Sequence, residues 1–599
     1  MGVSNPQVQQ SSTKYRVVIA YDFGTTYSGA AYAFTHTTPT EVFDIQNWPD
    51  KGGNFYPKVP TLSLYPRRNQ QQLTQSYRRS TLSHWGYGAK KVMLKPTTAK
   101  QNVPLSQFKL HLDESLHRQS LENELTPVQA VADYLAKLHQ HTLEELSRGF
   151  ADNYHPDTFR YCLTVPAVWS DKAKNSMRLA AIQAGLIMPS DPSDRLTLIS
   201  EPEAAAIYCE ETMADQVKLK DNDRFMVCDA GGGTVDLIVF QVNFTKGSKN
   251  GGGMTRNNRE LKEVTRGIGE SCGSIFLDER YRELLEAKLG AHVMSKVTPR
   301  EMGTMMDYFI DTIKPEFKEE DDFFTELPRS VKLEDLSKSL RDSDDDGYLD
   351  DGQLKLSGQE LKKQVFDPVI DKVLSLIEQQ YRQIPDGRLD SIFLVGGFGS
   401  SKYLYQRVRK EFHGTKANQI ICPAERAALA VVRGAAYSGA NPRTVVSRIS
   451  RRTYGIRCFL PFDKNIHPLS KRVVHADGSV QCKDIFSRFI TKNDELVVDH
   501  CVTNKYYHVC SGGYEVYDIK LYATENDKVP RYLDEPGVKL IATIPITIPK
   551  SLNTKKGEHL YHIVRMYFGR TEIRVEVEYT PDLKFEINCD FDAVNNYSS

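Results

Sequence analysis

Apolar residues follow two different rhythms along this chain. From Arg16 to about Gly439, short unbroken apolar runs alternate with stretches in which apolar residues recur every three or four positions. The runs at Val17–Ala20, Tyr161–Val165, Leu196–Ile199, Phe225–Cys228 and Ser391–Val395 read as strands buried on both faces. The periodic stretches between them read as helices with identifiable starts. Thr126-Pro127-Val128-Gln129 offers a cap, a proline in the first turn and a glutamine that closes a capping box, with Val128, Val131, Leu135 and Leu138 on one face. Ser170 caps a helix predicted to run to Gly185. Ser357-Gly358-Gln359-Glu360 opens another, with Val365, Val369, Val373 and Leu376 inside. Such alternation predicts an α/β fold with largely buried sheets. Beyond about Arg448 the helical period fades. Seven Val/Ile/Tyr/Phe-rich runs replace it, at Ile485–Ile490, Leu496–Val502, Tyr514–Tyr522, Lys539–Ile544, His559–Tyr567, Thr571–Tyr579 and Lys584–Cys589. Glu572-Ile573-Arg574-Val575-Glu576-Val577 alternates strictly, the pattern of a half-exposed antiparallel strand.

Composition narrows the classes without choosing among them. At 599 residues the chain needs several domains. Its 77 basic and 77 acidic residues balance, which argues against a nucleic-acid binder or a general binder of acidic membranes. No apolar run approaches the roughly 18 residues of a membrane span, and the polar head over residues 1–14 lacks the apolar centre of a signal peptide. The ten cysteines form no CxxC pair, so a reduced compartment, cytoplasmic or nuclear, is expected. Lys246–Asn258, rich in Gly, Asn and Lys, reads as a surface loop.

Candidate chemistry begins with two phrases that resemble each other. Val17-Val18-Ile19-Ala20-Tyr21-Asp22-Phe23-Gly24-Thr25-Thr26 and Phe225-Met226-Val227-Cys228-Asp229-Ala230-Gly231-Gly232-Gly233-Thr234 each read as a strand, an Asp at its end, a glycine turn, a Thr and a second strand. A polyphosphate needs backbone N–H donors at close range, which glycine permits, and hydroxyl donors such as Thr25, Thr26 and Thr234. Mg²⁺ keeps most of its water and needs one or two carboxylates, the place for Asp22 and Asp229. A single DxG is equally well a tight turn between strands; two copies flanked by apolar strands favour the phosphate reading. Gly396-Gly397-Phe398-Gly399 follows a buried strand and precedes a helix, a weaker signal of the same kind. Asp342–Gln353 fits most of a calcium loop, but Gln353 stands where a bidentate Glu is needed and a strand-like run follows, so an acidic surface turn is the favoured reading.

Asp-Phe-Gly-Thr-Thr-Tyr-Ser, Glu-Pro-Glu-Ala-Ala-Ala-Ile from Glu201, Asp-Ala-Gly-Gly-Gly-Thr-Val-Asp and Leu-Val-Gly-Gly-Phe-Gly occur in that order. The set resembles the nucleotide-binding domain of the DnaK-type heat shock protein 70 family, in the actin-like ATPase superfamily, over residues 15–440, and looks most like its divergent member-twelve branch. The resemblance implies a two-lobed actin-like ATPase, a duplicated ribonuclease-H-like fold, followed by a β-rich C-terminal domain. Its implied borders are a disordered head over 1–14, lobe I over 15–215, lobe II over 216–422, a returning helix and linker over 423–445, and a degenerate substrate-binding domain over 446–599. It implies Mg²⁺ and ATP or ADP as cofactors, with Asp22 and Asp229 holding the hydrated metal. Gly24, Thr25, Thr26 and Tyr27 match the first phosphate loop, and Gly231, Gly232, Gly233 and Thr234 the second. Glu201 matches a metal-shell or water-orienting glutamate, Asp236 a carboxylate near the attacking water, and Lys109 the lysine on the γ-phosphate. Gly273 and Ser274 stand where the family has two glycines over the phosphates. Asp311 and Lys314 match the ribose contacts, and Gly396, Gly397 and Gly399 the adenosine loop.

Departures weaken part of this. Pro315 replaces a basic residue over the adenine, Phe398 replaces a Ser, residues 440–452 are basic where the family linker is acidic, and no helical lid follows. The expected function is therefore a Mg-dependent, ATP-hydrolysing, chaperone-like protein. The rival reading is a nucleotide-gated interaction or signalling scaffold with little turnover, and a small-molecule kinase of the same superfamily stands third. Nucleotide is the expected partner, together with an unfolded polypeptide or signalling partner on the β-rich domain. No nucleic acid or membrane span is expected, and the chain is expected to be a monomer.

Overall fold

A computed structural model describes residues 14–67, 81–113, 120–150, 155–217, 219–244, 259–336, 349–350, 353–423, 427–442, 444–474, 478–510, 515–548, 552, 554–580 and 583–587. The head over 1–13, the Lys246–Asn258 stretch and most of the acidic Asp342–Gln353 turn lie outside the described residues. The chain divides into two compact units. The first comprises Met1–Val168, Met177–Val242 and Gly267–Pro442; the second comprises Trp169–Ser176, Asn243–Arg266 and Arg443–Ser599.

Two sheets organise the first unit, and both follow one plan. In one, the antiparallel pair Val17–Phe23 and Tyr27–Phe34 is joined by Phe159–Val165 and Leu196–Ser200, both parallel to Val17–Phe23. In the other, the antiparallel pair Arg224–Ala230 and Val235–Phe244 is joined by Ser391–Val395 and Gln419–Ile421, both parallel to Arg224–Ala230. Every residue of Val17–Phe23 and of Ser391–Val395 is buried, as their unbroken apolar runs require. Parallel strands bring their carboxyl ends to one edge, where open α/β sheets place ligands. Asp22, Thr164 and Glu201 meet at that edge in the first sheet, and Asp229 and Gly396 in the second.

Helix starts obey the caps. Thr126 Oγ1 accepts the Gln129 N–H at 3.2 Å and Gln129 Oε1 accepts the Thr126 N–H at 3.1 Å, opening Pro127–Phe150. Ser357 Oγ accepts the Glu360 N–H at 3.2 Å, although the helix that follows passes through a π turn at Lys362–Phe366 before running on as Asp367–Arg382. In the second unit Ser170 Oγ accepts the Ala173 N–H at 3.1 Å. That helix spans Asp171–Gln183, short of the expected Gly185.

The second unit is built on two antiparallel sheets. One contains Thr453–Pro461, Val480–Ile490, Glu515–Thr524 and Lys539–Ile548; the other contains His500–Val509, His559–Phe568, Arg574–Thr580 and Leu583–Ile587. Ile544 and Ile546 of the first sheet share one core with Val564, Met566, Val575 and Val577 of the second, so the inward side of each alternating strand is buried. The expected strand over Leu496–Val502 is two strands, Glu495–Val497 and His500–Val509, because Asp499 takes φ 60° and turns the chain. Two short pieces of the region expected to be ATPase, 169–176 and 243–266, belong to this unit. Asp171 accepts a 3.2 Å hydrogen bond from Tyr454 Oη, and Glu263 accepts the Ile449 N–H at 3.3 Å.

His139, on helix Pro127–Phe150, is buried with Nδ1 2.8 Å from Tyr21 Oη and its ring edge on Tyr161. Burial holds its imidazole down to about 4. As pH falls the unfolded chain takes this proton first, from about pH 6.5, so folded stability falls with it. The contribution is complete above about pH 6.5 and lost by about pH 4. We expect the wild type to lose about 2 kcal/mol more than His139→Gln between pH 7 and pH 4.5, read by urea denaturation; equal losses would refute the assignment.

Candidate functional site

The two Asp-glycine turns face each other across the first unit. A Cβ added to Gly232 would lie 2.4 Å from Thr26 Oγ1, and one added to Gly233 would lie 2.6 Å from Thr25 Oγ1. No other residue fits at those two positions without moving the opposite turn. The second turn is closed by the Gly231 N–H donating to Thr234 O at 3.0 Å. Beneath it, Gly273, Ser274 and Ile275 donate their N–H groups to the carbonyls of Gly233, Gly231 and Gly232 at 3.1, 3.1 and 2.9 Å. The start of helix Ile275–Met294 is thereby docked onto the turn, which satisfies donors that a helix N-terminus otherwise leaves unpaired.

A cleft of about 580 Å³ opens between the turns, within the range typical of small-molecule sites. Asp22, Gly24, Thr25, Thr26, Tyr27, Lys109, Glu201, Asp229, Gly231, Gly232, Gly233, Thr234, Ser274, Asp311, Lys314, Gly396 and Gly397, all candidate residues of the sequence, line it. Asp236, Gly273 and Gly399 do not. Asp236 lies opposite Asp229 on the neighbouring strand, and its Oδ1 accepts the Ala167 N–H at 3.0 Å behind the lining. Gly273 is packed under Gly232, and Gly399 against the Leu394 backbone.

Acidic groups crowd the cleft floor. Lys109 Nζ donates to Glu201 Oε1 in a buried ion pair. Burial raises the Glu201 carboxyl to about 7; Lys109 opposes that, while Asp236 and Asp22 add to it. Burial, with Glu201, Asp22 and Asp236 close by, holds Asp229 well above the carboxylate range. Among the described residues no group of three or more His, Cys, Asp or Glu is placed to hold a bare metal ion. The donor set fits instead a cation that keeps its water shell and touches one or two carboxylates.

Sequence motifs missed one wall. Asn54, Tyr56 and Lys58 line the cleft from the segment before strand Val59–Pro60, and Tyr56 packs edge-on against Tyr27 at 4.6 Å. Lys58 Nζ lies 2.5 Å from Asp22 Oδ2, and Thr164 Oγ1 donates to Asp22 Oδ1 at 3.1 Å. Burial works to lower the Lys58 ammonium, but Asp22, Tyr56 and Asp229 outweigh it and its pKa stands above the ordinary value. A lysine between two prolines was the only sign in the sequence. At the far end, Lys314 is fastened to the docked helix: its ammonium bonds Ser274 O at 2.9 Å and Asp278 Oδ1 at 2.7 Å. Pro315 and Phe398 line that end, Phe398 almost fully buried.

A family model described as a domain of unknown function (DUF8340) matches residues 219–421, which includes the second turn and the Gly396 turn. The chain is 26% identical to heat shock 70 kDa protein 12A of Mus musculus over 652 residues, covering 96% of this chain and 92% of that protein. It is 25% identical to heat shock 70 kDa protein 12B of Homo sapiens over 653 residues, covering 95% and 89%. With the chaperone protein DnaK of Prochlorococcus marinus it shares 24% identity over 329 residues, covering 53% and 43%. The chain is thus similar to the divergent twelve-type heat shock 70 kDa proteins along nearly its whole length. Similarity to these heat shock 70 kDa proteins implies an actin-like ATPase fold. The twelve-type matches extend through the β-rich second unit, whereas the DnaK match spans about half of the chain. Among the described residues, no helix is long and apolar enough to cross a membrane.

Removing one member of a buried ion pair strands the other. Lys109→Met should lower stability by about 3 kcal/mol at pH 8 in urea denaturation, and Lys109→Met with Glu201→Gln should recover most of it. Because Glu201 accepts a proton more readily once Lys109 is gone, the single-variant deficit should shrink as pH falls. A deficit unchanged by the second substitution would show that the pair is not coupled.

Proposed function

We propose that the chain binds ATP and ADP with Mg²⁺ in this cleft and hydrolyses ATP slowly. The observation that carries the proposal is the contact of Thr25 and Thr26 with Gly232 and Gly233. It puts two glycine turns, each with an aspartate at its root, on either side of one cavity. We read the two sheets of the first unit, each a hairpin extended by parallel strands, as the duplicated ribonuclease-H-like halves of an actin-like ATPase.

The chain's own groups divide the work. N–H groups of Gly24–Tyr27 and Gly231–Thr234 and the hydroxyls of Thr25, Thr26 and Thr234 hold the phosphate oxygens. The divalent cation, when bound, would supply neutralising charge to the phosphates, held through its water by Asp229, since Asp22 is already paired with Lys58. Glu201 orients a water on the γ-phosphate side, and Lys109 holds Glu201 in place. Phosphoryl transfer of this kind rests on positioning and charge rather than on covalent chemistry. Gly396, Gly397 and Phe398 close on the nucleoside end, and Asp311 reaches the sugar.

A second reading has its own support. Lys109 is closed on Glu201 and Lys314 on Asp278, so two cations the family directs at nucleotide are already paired. A nucleotide-gated scaffold with little turnover fits that arrangement, with the β-rich second unit as its surface for a polypeptide or signalling partner. Single-turnover hydrolysis with and without unfolded peptide separates the two; peptide-stimulated turnover excludes the scaffold.

Calorimetry with Mg-ATP should give saturable binding to the full chain. Asp229→Ala should weaken it by at least about thirtyfold. Glu201→Gln should leave affinity within about threefold while slowing hydrolysis by at least about a hundredfold. No binding by the wild type would end the proposal.

A further inference from the structure

Lys58 is built into the cleft on every side. Its residue is 8% exposed, and its carbonyl accepts the Tyr87 hydroxyl at 3.0 Å. Its aliphatic stem lies along Gly29, where an added Cβ would stand 3.2 Å from Lys58 Cγ, so the strand leaves room for it. The ammonium ends 2.5 Å from Asp22 Oδ2, while Thr164 takes the other oxygen of the same carboxylate. Both oxygens of Asp22 are thus engaged by side chains of this chain. A divalent cation coming to Asp22 would meet a buried positive charge already seated there, and like charges that close repel strongly away from water.

We propose that Lys58 is an internal cation of the phosphate site. It neutralises Asp22 in place of a divalent ion and donates to the nucleotide's phosphate oxygens, so that ADP binding depends little on Mg²⁺. An ammonium has three N–H donors; the bond to Asp22 uses one and leaves two for the cleft that Lys58 lines. The ammonium therefore need not leave Asp22 to reach a phosphate. Asp229 of the second turn lines the same cleft as Lys58. Lys109, the other lysine at the floor, is paired with Glu201.

The inference rests on the proposed nucleotide site, and its test separates the two. ADP is titrated calorimetrically into the full chain, once with excess Mg²⁺ and once with EDTA and no divalent ion. The wild-type Kd should differ by less than about fivefold between the two conditions. Lys58→Gln should weaken binding in EDTA by at least about tenfold, and Mg²⁺ should restore most of that loss. Since Lys58→Gln leaves Asp22 buried without its partner, Lys58→Gln with Asp22→Asn serves as a second variant without the stranded charge; it should lose EDTA affinity to the same extent. Folding of both variants is checked by thermal melting. A wild type that binds ADP with Mg²⁺ but loses more than about fivefold in EDTA overturns the role of Lys58 and leaves the nucleotide site standing. So does a folded Lys58 variant that binds like the wild type in EDTA. A wild type that binds ADP under neither condition overturns the nucleotide site itself, and Lys58's role with it.

Discussion

Burying carboxylates is the constraint around which the first unit is arranged. Asp22, Glu201, Asp229 and Asp236 are each less than a tenth exposed, and the others lie close enough to raise the proton affinity of Glu201 and Asp229. An ionised carboxylate in such a place is tolerated only with a cation or several donors beside it. Lys58 answers Asp22, Lys109 answers Glu201, and the Ala167 N–H answers one oxygen of Asp236. Thr164 completes the shell of Asp22. Two strands that end in an aspartate must turn at once, and glycine turns let the opposite turn approach to contact. A site organised in this way balances the carboxylates at its floor with buried lysines.

Much of this was legible in the chain. Unbroken apolar runs became fully buried parallel strands, because a strand covered on both faces has no polar side to show. The paired Asp-glycine phrases were visible because turns need particular residues at particular places. Alternation in the C-terminal third was equally legible, because one side of each strand joins the shared core. Lys58 was not. Its role comes from a contact with Asp22 36 residues away and from the room left by Gly29, and neither leaves a local mark. Lys314 lines the cleft with the other candidate residues, but its partner Asp278 lies on a helix whose docking no periodicity reveals.

Domain borders were least legible. Residues 169–176 and 259–266 lie within the alternating region, yet Asp171 bonds Tyr454 and Glu263 bonds Ile449 in the second unit. A buried strand or helix carries the same pattern whichever core receives it. The split at Asp499 has a simpler cause: Leu496-Val497-Val498 looks like the start of a longer strand, and only the backbone at φ 60° shows the turn. Relatives of the twelve type align with nearly the whole chain, whereas the DnaK match covers about half of it. A second buried lysine, Lys58, sits at the root of the first turn.

The central claim is that the two facing turns hold the phosphates of a nucleotide. A crystal structure of the full chain grown with ADP tests it most directly. The account predicts the diphosphate between Gly24–Tyr27 and Gly231–Thr234, within hydrogen-bond reach of their N–H groups. Diphosphate bound anywhere else, with the two turns still in contact and nothing between them, would contradict it.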